Sequence, residues 1–366
     1  MKAECATDKL KEAAILTSRF TSKQASLQAL QGILLLAEGK TLTLRATNLE
    51  CGIEVSIQAK NIEQGVVAVS GGTLAALVSN LPTSSKSVTL SFEGSILKVT
   101  TNTSSSNIKS IPHEDFPILP TVSGEKTISI DSQELGKTMR SVAFCAAVSG
   151  IKPELQSVFV AAENGKMTIA ATDSFRLAEK TLTFKGSDVP TLLIPIRNAA
   201  EMIRILENTK GNTTIYYSEN QLSVQAEDIY FTTRLIDGTF PNYQQIIPKT
   251  YTTEAVVLKE DLSTALKTLA IFADKYAQVS VEIQPKKKQV VLSAKNPDVG
   301  EHVMELSCAA EGEGISMNFN GRYIADALQS ISGESVRLGF TGVGKPLAMH
   351  PASDASFVYI VMPMNR

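Results

Sequence analysis

The sequence predicts an α+β protein made of three similar domains in a row. Three segments spaced roughly 125 residues apart share one pattern, a short apolar–polar alternation, a polar turn and a second alternation: Lys40–Val55, Lys166–Phe184 and Gln289–Cys308. Alternation with a period of two is typical of half-buried strands. A repeat of this length is the size of a domain, whereas solenoid units repeat every 20–50 residues or so.

A stripe of apolar residues at helical spacing comes before each segment. In the third repeat, for example, Leu262, Leu266 and Leu269 fall on one helical face. Such spacing predicts an amphipathic helix with one buried face. The predicted first helices of the three repeats are Asp8–Phe20, Ser132–Ala146 and Lys259–Ala273.

A second helix and a closing set of strands follow each segment. The second helices are predicted at Gly72–Leu81, Ile196–Leu206 and Tyr323–Ile331. The closing hairpins are predicted at Ser87–Thr100, Thr213–Thr233 and Ser335–Val361. Each repeat therefore reads as two helices packed on antiparallel sheets.

Proline-rich stretches mark the predicted exits from the first two domains. They are Phe116–Pro120 and the stretch from Phe240 to Pro248. Because proline cannot donate a ladder hydrogen bond, a chain leaves a sheet readily at such a stretch. The predicted domains are therefore residues 1–120, 121–249 and 250–366.

Composition narrows the class of protein. The 366 residues are 43% hydrophobic and 20% charged, which is a globular profile, and the net charge of −2 argues against a simple basic coat on nucleic acid. No apolar run is long enough to span a bilayer, and acidic Glu4 and Asp8 argue against a targeting segment. Four cysteines without a CxxC pair indicate buried free thiols. We expect a cytoplasmic protein without a membrane partner.

Motifs of catalysis are scarce. The three histidines are far apart, and no cluster has metal-ligand spacing. The segment Thr341–Pro346 imitates the end of a phosphate loop but lacks its first glycine, and Pro346 stands where a Mg²⁺-binding hydroxyl is needed. We therefore predict no catalytic residue, no metal and no cofactor, and hence no enzyme, although catalytic residues can converge from distant positions.

Three segments carry a resemblance to one family. Thr-Asp-Ser-Phe-Arg-Leu-Ala at Thr172–Ala178 is similar to the Thr-Asp-Gly-His-Arg-Leu-Ala segment of bacterial sliding clamps, the β subunits of DNA polymerase III. Gly238–Tyr243, followed by Ile246 and Pro248, resembles the link between domains in the same family. The ending Val361–Met364 resembles the family's carboxy terminus. Together, in this order and at these distances, the segments are a specific signal that covers nearly the whole chain.

The resemblance implies the DNA-clamp fold and a head-to-tail dimer that closes into a pseudo-sixfold ring. Helices would line the hole and sheets would form the outer wall, and a heterologous contact that closes gives such a ring. The ring would encircle duplex DNA without reading its sequence. It would tether the replicative DNA polymerase and other proteins that carry a clamp-binding motif, and a separate ATP-driven clamp loader would open it.

The resemblance also implies roles for individual residues. The partner-peptide groove would comprise Leu155, Thr172, Ser174, Phe175, Arg176, Leu177, Pro241, Ile246, Asn320, Tyr323, Val343, Pro346, Val361, Met362, Pro363 and Met364. The DNA-facing residues, chosen by helix position or family match, would be Lys23, Lys137, Arg140, Lys152, Arg197, Arg204, Lys275 and Tyr276. The dimer interface would include Ile108, Ile271 and Phe272.

The chain departs from the family pattern at three places. Ser174 and Phe175 replace Gly-His, Pro346 stands near a usual serine, and Asn365-Arg366 replaces Arg-Leu. Peptide preference is therefore open.

Other interpretations of these residues also stay open. Each basic residue reads equally as an ordinary surface charge, Ile271 and Phe272 read as core, and the ending reads as a buried strand. Two other classes of protein are alternatives: a hydrolase or transferase whose residues converge from separate repeats, and an oligomeric scaffold without a DNA role.

Overall fold

The computed structural model describes residues 1–22, 27–82, 84–122, 126–150 and 152–364. Three residues named above lie outside these ranges: Lys23, predicted to face DNA, and the terminal Asn365 and Arg366.

Six α-helices occur in the described residues, two in each third of the chain. They are α1 (Thr7–Ser18), α2 (Gly71–Ser79), α3 (Ser132–Ala143), α4 (Ile196–Asn208), α5 (Lys259–Phe272) and α6 (Gly321–Leu328). The apolar stripes predicted all six, with ends shifted by a few residues. The largest shift of a helix start is at α6, which begins two residues before Tyr323 because the Asn320 side chain accepts a hydrogen bond from the Arg322 N–H (3.0 Å) and caps the first turn.

The described strands fall into three groups in chain order: nine that precede α3, eight between α3 and α5, and eight that follow α5. The first nine are β1 (Lys2–Ala6), β2 (Gly32–Glu38), β3 (Thr41–Thr47), β4 (Cys51–Glu63), β5 (Gly65–Ser70), β6 (Ser87–Glu93), β7 (Ile96–Thr100), β8 (Ser105–Ile111) and β9 (Thr127–Asp131). The next eight are β10 (Ser157–Glu163), β11 (Lys166–Thr172), β12 (Arg176–Thr183), β13 (Val189–Pro195), β14 (Asn212–Tyr217), β15 (Gln221–Ala226), β16 (Ile229–Arg234) and β17 (Thr253–Leu258). The last eight are β18 (Gln278–Gln284), β19 (Gln289–Asn296), β20 (Gly300–Ser307), β21 (Ala309–Gly312), β22 (Ile315–Asn320), β23 (Ser335–Phe340), β24 (Leu347–Pro351) and β25 (Phe357–Val361).

The chain forms two compact units, and the first comprises Met1–Ser132 and Asn208–Leu235. Its strands form one twelve-stranded sheet in the order β1-β6-β7-β8-β5-β2-β3-β4-β16-β15-β14-β9, in which neighbouring strands are antiparallel. Strand β16 pairs with β4, so strands from the second repeat extend the sheet of the first. The core includes an edge-to-face contact between Phe20 and Phe231, whose ring centroids are 5.9 Å apart.

The second unit comprises Gln133–Glu207 and Ile236–Arg366. It holds a nine-stranded sheet in the order β13-β10-β11-β12-β25-β24-β23-β17-β21 and a four-stranded sheet in the order β20-β19-β18-β22. Strand β12 of the second repeat pairs with β25 at the chain's end, from Arg176 opposite Val361 to Lys180 opposite Phe357. This pairing places the Thr172–Arg176 turn beside the carboxy-terminal segment.

Several sequence predictions can be compared directly with this fold. The cysteines Cys5, Cys51, Cys145 and Cys308 form no disulfide. Residues Thr341–Pro346 form the turn between β23 and β24, with Gly342 and Gly344 at positive φ (135° and 75°), where glycine is favoured. In the ranges the structure describes, no helix is long and apolar enough to cross a membrane, and no three His, Cys, Asp or Glu side chains gather as a metal site would require.

Candidate functional site

The turn between β11 and β12 is held by its own side chains. One carboxylate oxygen of Asp173 accepts hydrogen bonds from the backbone N–H groups of Phe175 and Arg176, both at 2.9 Å. The Thr172 hydroxyl donates to the Arg176 carbonyl (2.7 Å) and accepts from the Ser174 N–H (3.1 Å). Ser174 takes a φ of 78°. This network presents Phe175 outward, 63% exposed, on a fixed loop.

The side chain of Arg176 is enclosed by two carboxylates and two aromatic rings. Its Nε lies 3.0 Å from Asp173 Oδ2, and its Nη1 lies 2.7 Å from Asp326 Oδ2 on α6. The guanidinium carbon lies 4.5 Å from the Tyr323 ring centroid and 5.6 Å from that of Phe144. A cation held over ring faces is attracted by the ring quadrupoles. Arg176 therefore fastens the turn to α6 and to the end of α3.

Burial and pairing act in opposite directions on the Arg176 pKa. Burial alone would lower it, but the hydrogen bond to Asp326, together with the charges nearby, raises the pKa above its ordinary value. The guanidinium is therefore cationic at every pH at which the protein is folded. Its side chain is only 14% exposed, so it serves more to position Phe175 than as an open contact for a ligand.

Buried aromatic packing supports the Arg176 cluster from below. Tyr359 of β25 stacks on Phe144 with ring centroids 5.9 Å apart, and its hydroxyl donates to the Tyr323 carbonyl at 2.8 Å. Burial, with a smaller contribution from Cys145, raises the Tyr359 pKa well above its usual range. Cys145 is also fully buried in this core, and burial raises the pKa of its thiol.

The carboxy-terminal segment continues past β25 as an ordered run. The Met362 N–H donates to the Phe175 carbonyl (2.9 Å), and the Met364 N–H donates to the Asn318 carbonyl (2.8 Å). Val361 is fully buried, whereas Met362 is 39% exposed. The strand is therefore core up to Val361, as the buried-strand interpretation predicts, and its continuation lies at the surface.

The opposite face of the same sheet carries a second apolar cluster. Leu177 is next to Arg176 in sequence and so points to the other side of the strand. It packs in a buried core with Phe240 and Tyr243, among others. The Tyr243 hydroxyl also donates to Glu179 (2.7 Å). This core anchors the Gly238–Tyr243 link to the sheet, while the link's Pro241 stays exposed.

The predicted groove residues divide into a connected group and a dispersed group. Direct pairing or hydrogen bonding joins Thr172, Ser174, Phe175, Arg176, Tyr323, Val361 and Met362. The dispersed residues lie on separate loops: Leu155 accepts from the Ala147 N–H, Ile246 ends a short 3₁₀ turn, and Val343 and Pro346 occupy the β23–β24 turn. The exposed apolar members of both groups are Phe175, Ile246, Val343 and Met362.

Sequence reasoning missed two residues that the connected group depends on, Phe144 and Asp326. Asp326 is three residues after Tyr323 on α6, and residues at that spacing share a helix face. The pattern Tyr-x-x-Asp beside a predicted groove arginine was thus a usable signal. No comparable signal existed for Phe144, which follows α3 and reaches Arg176 only through the tertiary fold.

The basic residues on α3 and α4 are exposed but partly neutralised. Lys137, Arg140, Arg197 and Arg204 all have exposed side chains. Arg140, however, pairs with Glu207 through Nε and Nη2, and Arg204 Nε lies 3.4 Å from Glu201. Acidic and basic residues balance to within one charge in each of the six helices that the structure describes.

The remaining candidates for nucleic-acid contact lie in loops. Lys152 is exposed just before a 3₁₀ turn. Lys275 and Tyr276 follow α5, and the Lys275 ammonium lies 4.9 Å from the centroid of the exposed Tyr276 ring.

The three predicted interface residues differ in exposure. Ile271, on α5, is 65% exposed, and Phe272 stacks on His302 of β20 with ring centroids 5.3 Å apart. Ile271 therefore does not belong to the core of the single chain. Ile108, in contrast, is only 6% exposed and sits opposite Leu97 of β7. Its side chain has little area to offer a second chain, so any interface there depends on the strand edge.

Comparison with known proteins gives one consistent result along the chain. The family models for the DNA polymerase III beta subunit match in order: its N-terminal domain over residues 1–120, its central domain over 129–242 and its C-terminal domain over 244–365. The chain is 26% identical to a protein named beta sliding clamp from Synechococcus elongatus, over 100% of this chain and 99% of that one. A namesake from Streptomyces coelicolor is 27% identical with the same coverage.

A solved structure extends the comparison to the fold. The crystal structure of the DNA polymerase III beta subunit from Thermotoga maritima matches with a TM-score of 0.94 and 27% identity, and covers 100% of this chain and 99% of that one. The arrangement of strands and helices described above is therefore shared along its full length.

Proposed function

The chain belongs to the DNA polymerase III beta subunit family, the sliding clamps, and on that premise we propose that it acts as a ring that encircles duplex DNA and tethers the replicative polymerase to it. The observation that carries the proposal is that all three domain models match in order across one chain. We place the domains at residues 1–120, 121–249 and 250–366. The role is mechanical, and the protein is not an enzyme.

We propose that the ring is a head-to-tail homodimer joined through strand edges. Among the residues that the structure describes, Ser105–Lys109 of β8 pair only with β7, since β5 meets β8 at Ser110 and Ile111. Strand β20 is likewise the edge of its four-stranded sheet and carries Val303, 54% exposed. Open edges readily pair with another chain. The exposed Ile271 beside Phe272 and His302 adds apolar area next to the β20 edge.

The proposed DNA contacts are few and independent of sequence. Lys137 and Arg197 extend from the helices, and Lys152, Lys275 and Tyr276 extend from loops. Cationic side chains that contact phosphates fix no base sequence. Such contacts weaken steeply with salt, so retention of the protein on DNA at high salt would depend on the closed ring and not on affinity.

The proposed peptide groove combines the Thr172–Arg176 turn with the Val361–Met364 ending. Phe175 and Met362 are adjacent exposed apolar side chains, joined by the hydrogen bond from Met362 N–H to the Phe175 carbonyl. Methionine adapts to varied apolar partners. A short peptide with Leu and Phe anchors fits such a surface, and a few anchors would dominate its affinity. Phe175 in place of histidine keeps an apolar side chain at this wall and removes the hydrogen bonding of an imidazole.

The proposed partners follow from these surfaces. They are duplex DNA, a second copy of the chain, the replicative polymerase, other proteins with a clamp-binding motif and a clamp loader. Because Thr341–Pro346 is a hairpin turn without the phosphate-loop sequence, ATP-driven opening is assigned to the loader. The site of action is the cytoplasm, where bacterial DNA is replicated.

Retention on circular DNA tests the ring. After loading onto a nicked circle, we expect the protein to remain at high salt and to be released when the circle is linearised. Equal loss from both forms would refute the ring and would favour a scaffold without a DNA role.

Binding of a fluorescent peptide with Leu and Phe anchors tests the groove. We expect Met362→Ala to weaken binding at least about tenfold, the loss of a hot-spot side chain, while the dimer remains intact by light scattering. Ile118→Ala is the matched control, because Ile118 is 87% exposed but lies in the first unit. Unchanged binding by Met362→Ala would contradict the groove assignment.

A further inference from the structure

Two of the three arginines that sequence analysis placed against DNA on α3 and α4, Arg140 and Arg204, are held by carboxylates of α4. Arg140 Nε and Nη2 bind the two carboxylate oxygens of Glu207. Arg204 Nε lies 3.4 Å from Glu201, one helical turn before it. The helices of a protein that binds a polyanion would be expected to carry a clear excess of basic residues, and these do not.

The Arg140–Glu207 pair uses the edge of the guanidinium that a phosphate would use. Arginine binds a carboxylate or a phosphate through two parallel N–H···O bonds. Glu207 already occupies the Nε–Nη2 edge, and its hydrogen bond raises the pKa of Arg140. A phosphate that approaches this edge must therefore displace Glu207 first. The Arg140 side chain is 61% exposed, so the exchange requires no rearrangement of the core.

The close approach of α3 to α4 that makes this pair possible depends on a glycine. A Cβ on Gly136 would lie 2.9 Å from Glu207 Cγ and 3.1 Å from the Glu207 backbone nitrogen. Any larger residue at this position would push Glu207 away from α3. The glycine thus lets α3 lie against the residue that neutralises Arg140 one turn later.

We propose that Glu207, with Glu201 in a lesser role, limits the grip of the clamp on DNA by competing with phosphate for Arg140 and Arg204. This inference rests on the proposed clamp function and adds to it a way of limiting the affinity for DNA. Where the arginines of a helix face are paired with carboxylates, each contact with a phosphate is brief. The protein then stays on DNA because the closed ring surrounds the duplex. Bare arginines at the same positions would bind phosphates more strongly and slow movement along the duplex.

The salt dependence of binding to a short linear duplex tests this role. We expect Glu207→Gln to bind more tightly at low salt, and the slope of log affinity against log salt to steepen by about 0.9, as for one added phosphate contact. Between 50 and 200 mM salt, the variant should therefore lose about 3.5-fold more affinity than the unchanged protein. An unchanged slope would overturn the proposal.

A matched control separates release of Arg140 from a simple change in net charge. Glu254→Gln removes the same charge from the same unit, where Glu254 pairs with Arg337 at 3.6 Å and the two side chains are 40% and 44% exposed. This pair lies on sheet strands and not on α3 or α4, so the slope should not change. If Glu254→Gln steepens the slope as much as Glu207→Gln, net charge explains the result and the proposal fails.

A double variant completes the test. In Arg140→Gln/Glu207→Gln, the steepening should disappear, because the freed arginine that causes it is gone. Persistence of the steepening would also overturn the proposal. Thermal melting of each variant confirms that it is folded. Failure of the unchanged protein to stay on circular DNA would refute the clamp function itself, whereas normal retention with an unchanged Glu207→Gln slope would refute only this inference.

Discussion

The turn Thr47–Cys51 in the first unit and the turn Thr172–Arg176 in the second are built alike. In the first, the Thr47 hydroxyl donates to the Cys51 carbonyl (2.9 Å), and Asn48 Oδ1 accepts from the N–H groups of Glu50 and Cys51. Leu49 takes a φ of 74°, close to the 78° of Ser174. Thr172 and Asp173 make the same hydrogen bonds in the second unit. The two turns therefore share one local hydrogen-bond pattern.

The two turns differ in what their last residue does. Cys51 is buried, and its thiol donates to Asn48 Oδ1 within the turn at 3.6 Å. Arg176 instead reaches Asp326, 150 residues away. The nearby charged pair of the first unit, Arg45 with Glu54, also stays within its own hairpin. Local hydrogen bonds thus fix the shape of both turns, and one long-range arginine gives the second turn a fixed place beside the chain's end.

Among the variants that test this comparison, removal of Arg176 should lower the free energy of unfolding most. Arg176→Leu leaves Asp173 without its guanidinium partner and Asp326 partly buried without a countercharge, so we expect unfolding to become easier by about 2–3 kcal/mol. Urea denaturation measures this change. Arg337→Leu is the control, because its pair with Glu254 is exposed and contributes less than about 1 kcal/mol. Equal losses in the two variants would show that Arg176 does not fasten the turn.

Substitution at the second position of each turn should separate the hydrogen bonds that both turns share from the ion pair with Arg176 that only the second turn has. Asp173→Asn keeps the oxygen that accepts the two backbone N–H groups but removes the charge opposite Arg176, as in the first turn, where asparagine occurs naturally. Asp173→Ala removes both. We expect Asp173→Ala to be less stable than Asp173→Asn by about 1 kcal/mol, the usual contribution of such side-chain hydrogen bonds.

The first turn supplies the control for that comparison. Asn48→Ala should lower the free energy of unfolding by about as much as separates Asp173→Ala from Asp173→Asn, because each comparison removes the same two hydrogen bonds. Urea denaturation again measures these values. A much smaller cost at Asn48 would mean that the two turns are alike in geometry only.

The extent to which the sequence predicted these features follows from the range of the interactions. Period-two alternation and apolar stripes predicted the six helices and the three hairpin segments because those patterns reflect burial within one element. The likeness of Thr47-Asn48 to Thr172-Asp173 was also visible, since a turn is determined by neighbours in sequence. The pairing of Arg176 with Asp326 and Phe144 was not, because nothing local requires an arginine to meet residues in other elements.

The same limit explains the charged helix surfaces. Arg197 and Arg204 were chosen as DNA-facing by their helix position or family match, and both are exposed. The neutralising contact between Arg140 and Glu207 joins α3 to α4 across 67 residues and depends on Gly136. Sequence spacing within α3 contains no information about that contact.

A second long-range pair on β12 should have the smallest effect, visible only at low pH. Lys180 Nζ lies 2.7 Å from Asp354 Oδ2, and this hydrogen bond, with one from the Ser356 hydroxyl, lowers the pKa of Asp354 from 3.8 to about 2. Because the folded pKa lies below the unfolded one, the stabilisation is complete above about pH 4 and is lost as the pH falls towards 2. The pair is partly exposed, so its contribution stays below about 1 kcal/mol.

Asp354→Asn isolates this contribution. We expect the variant to be slightly less stable at neutral pH and to show a shallower loss of stability between about pH 4 and pH 2, measured as the urea midpoint at each pH. Arg45→Gln in the first unit is the contrasting variant, because it removes a charged pair that joins neighbouring strands and leaves the pairing of β12 with β25 unchanged. If Asp354→Asn follows the same acid profile as the unchanged protein, the Lys180–Asp354 pair does not help to hold the chain's end to β12.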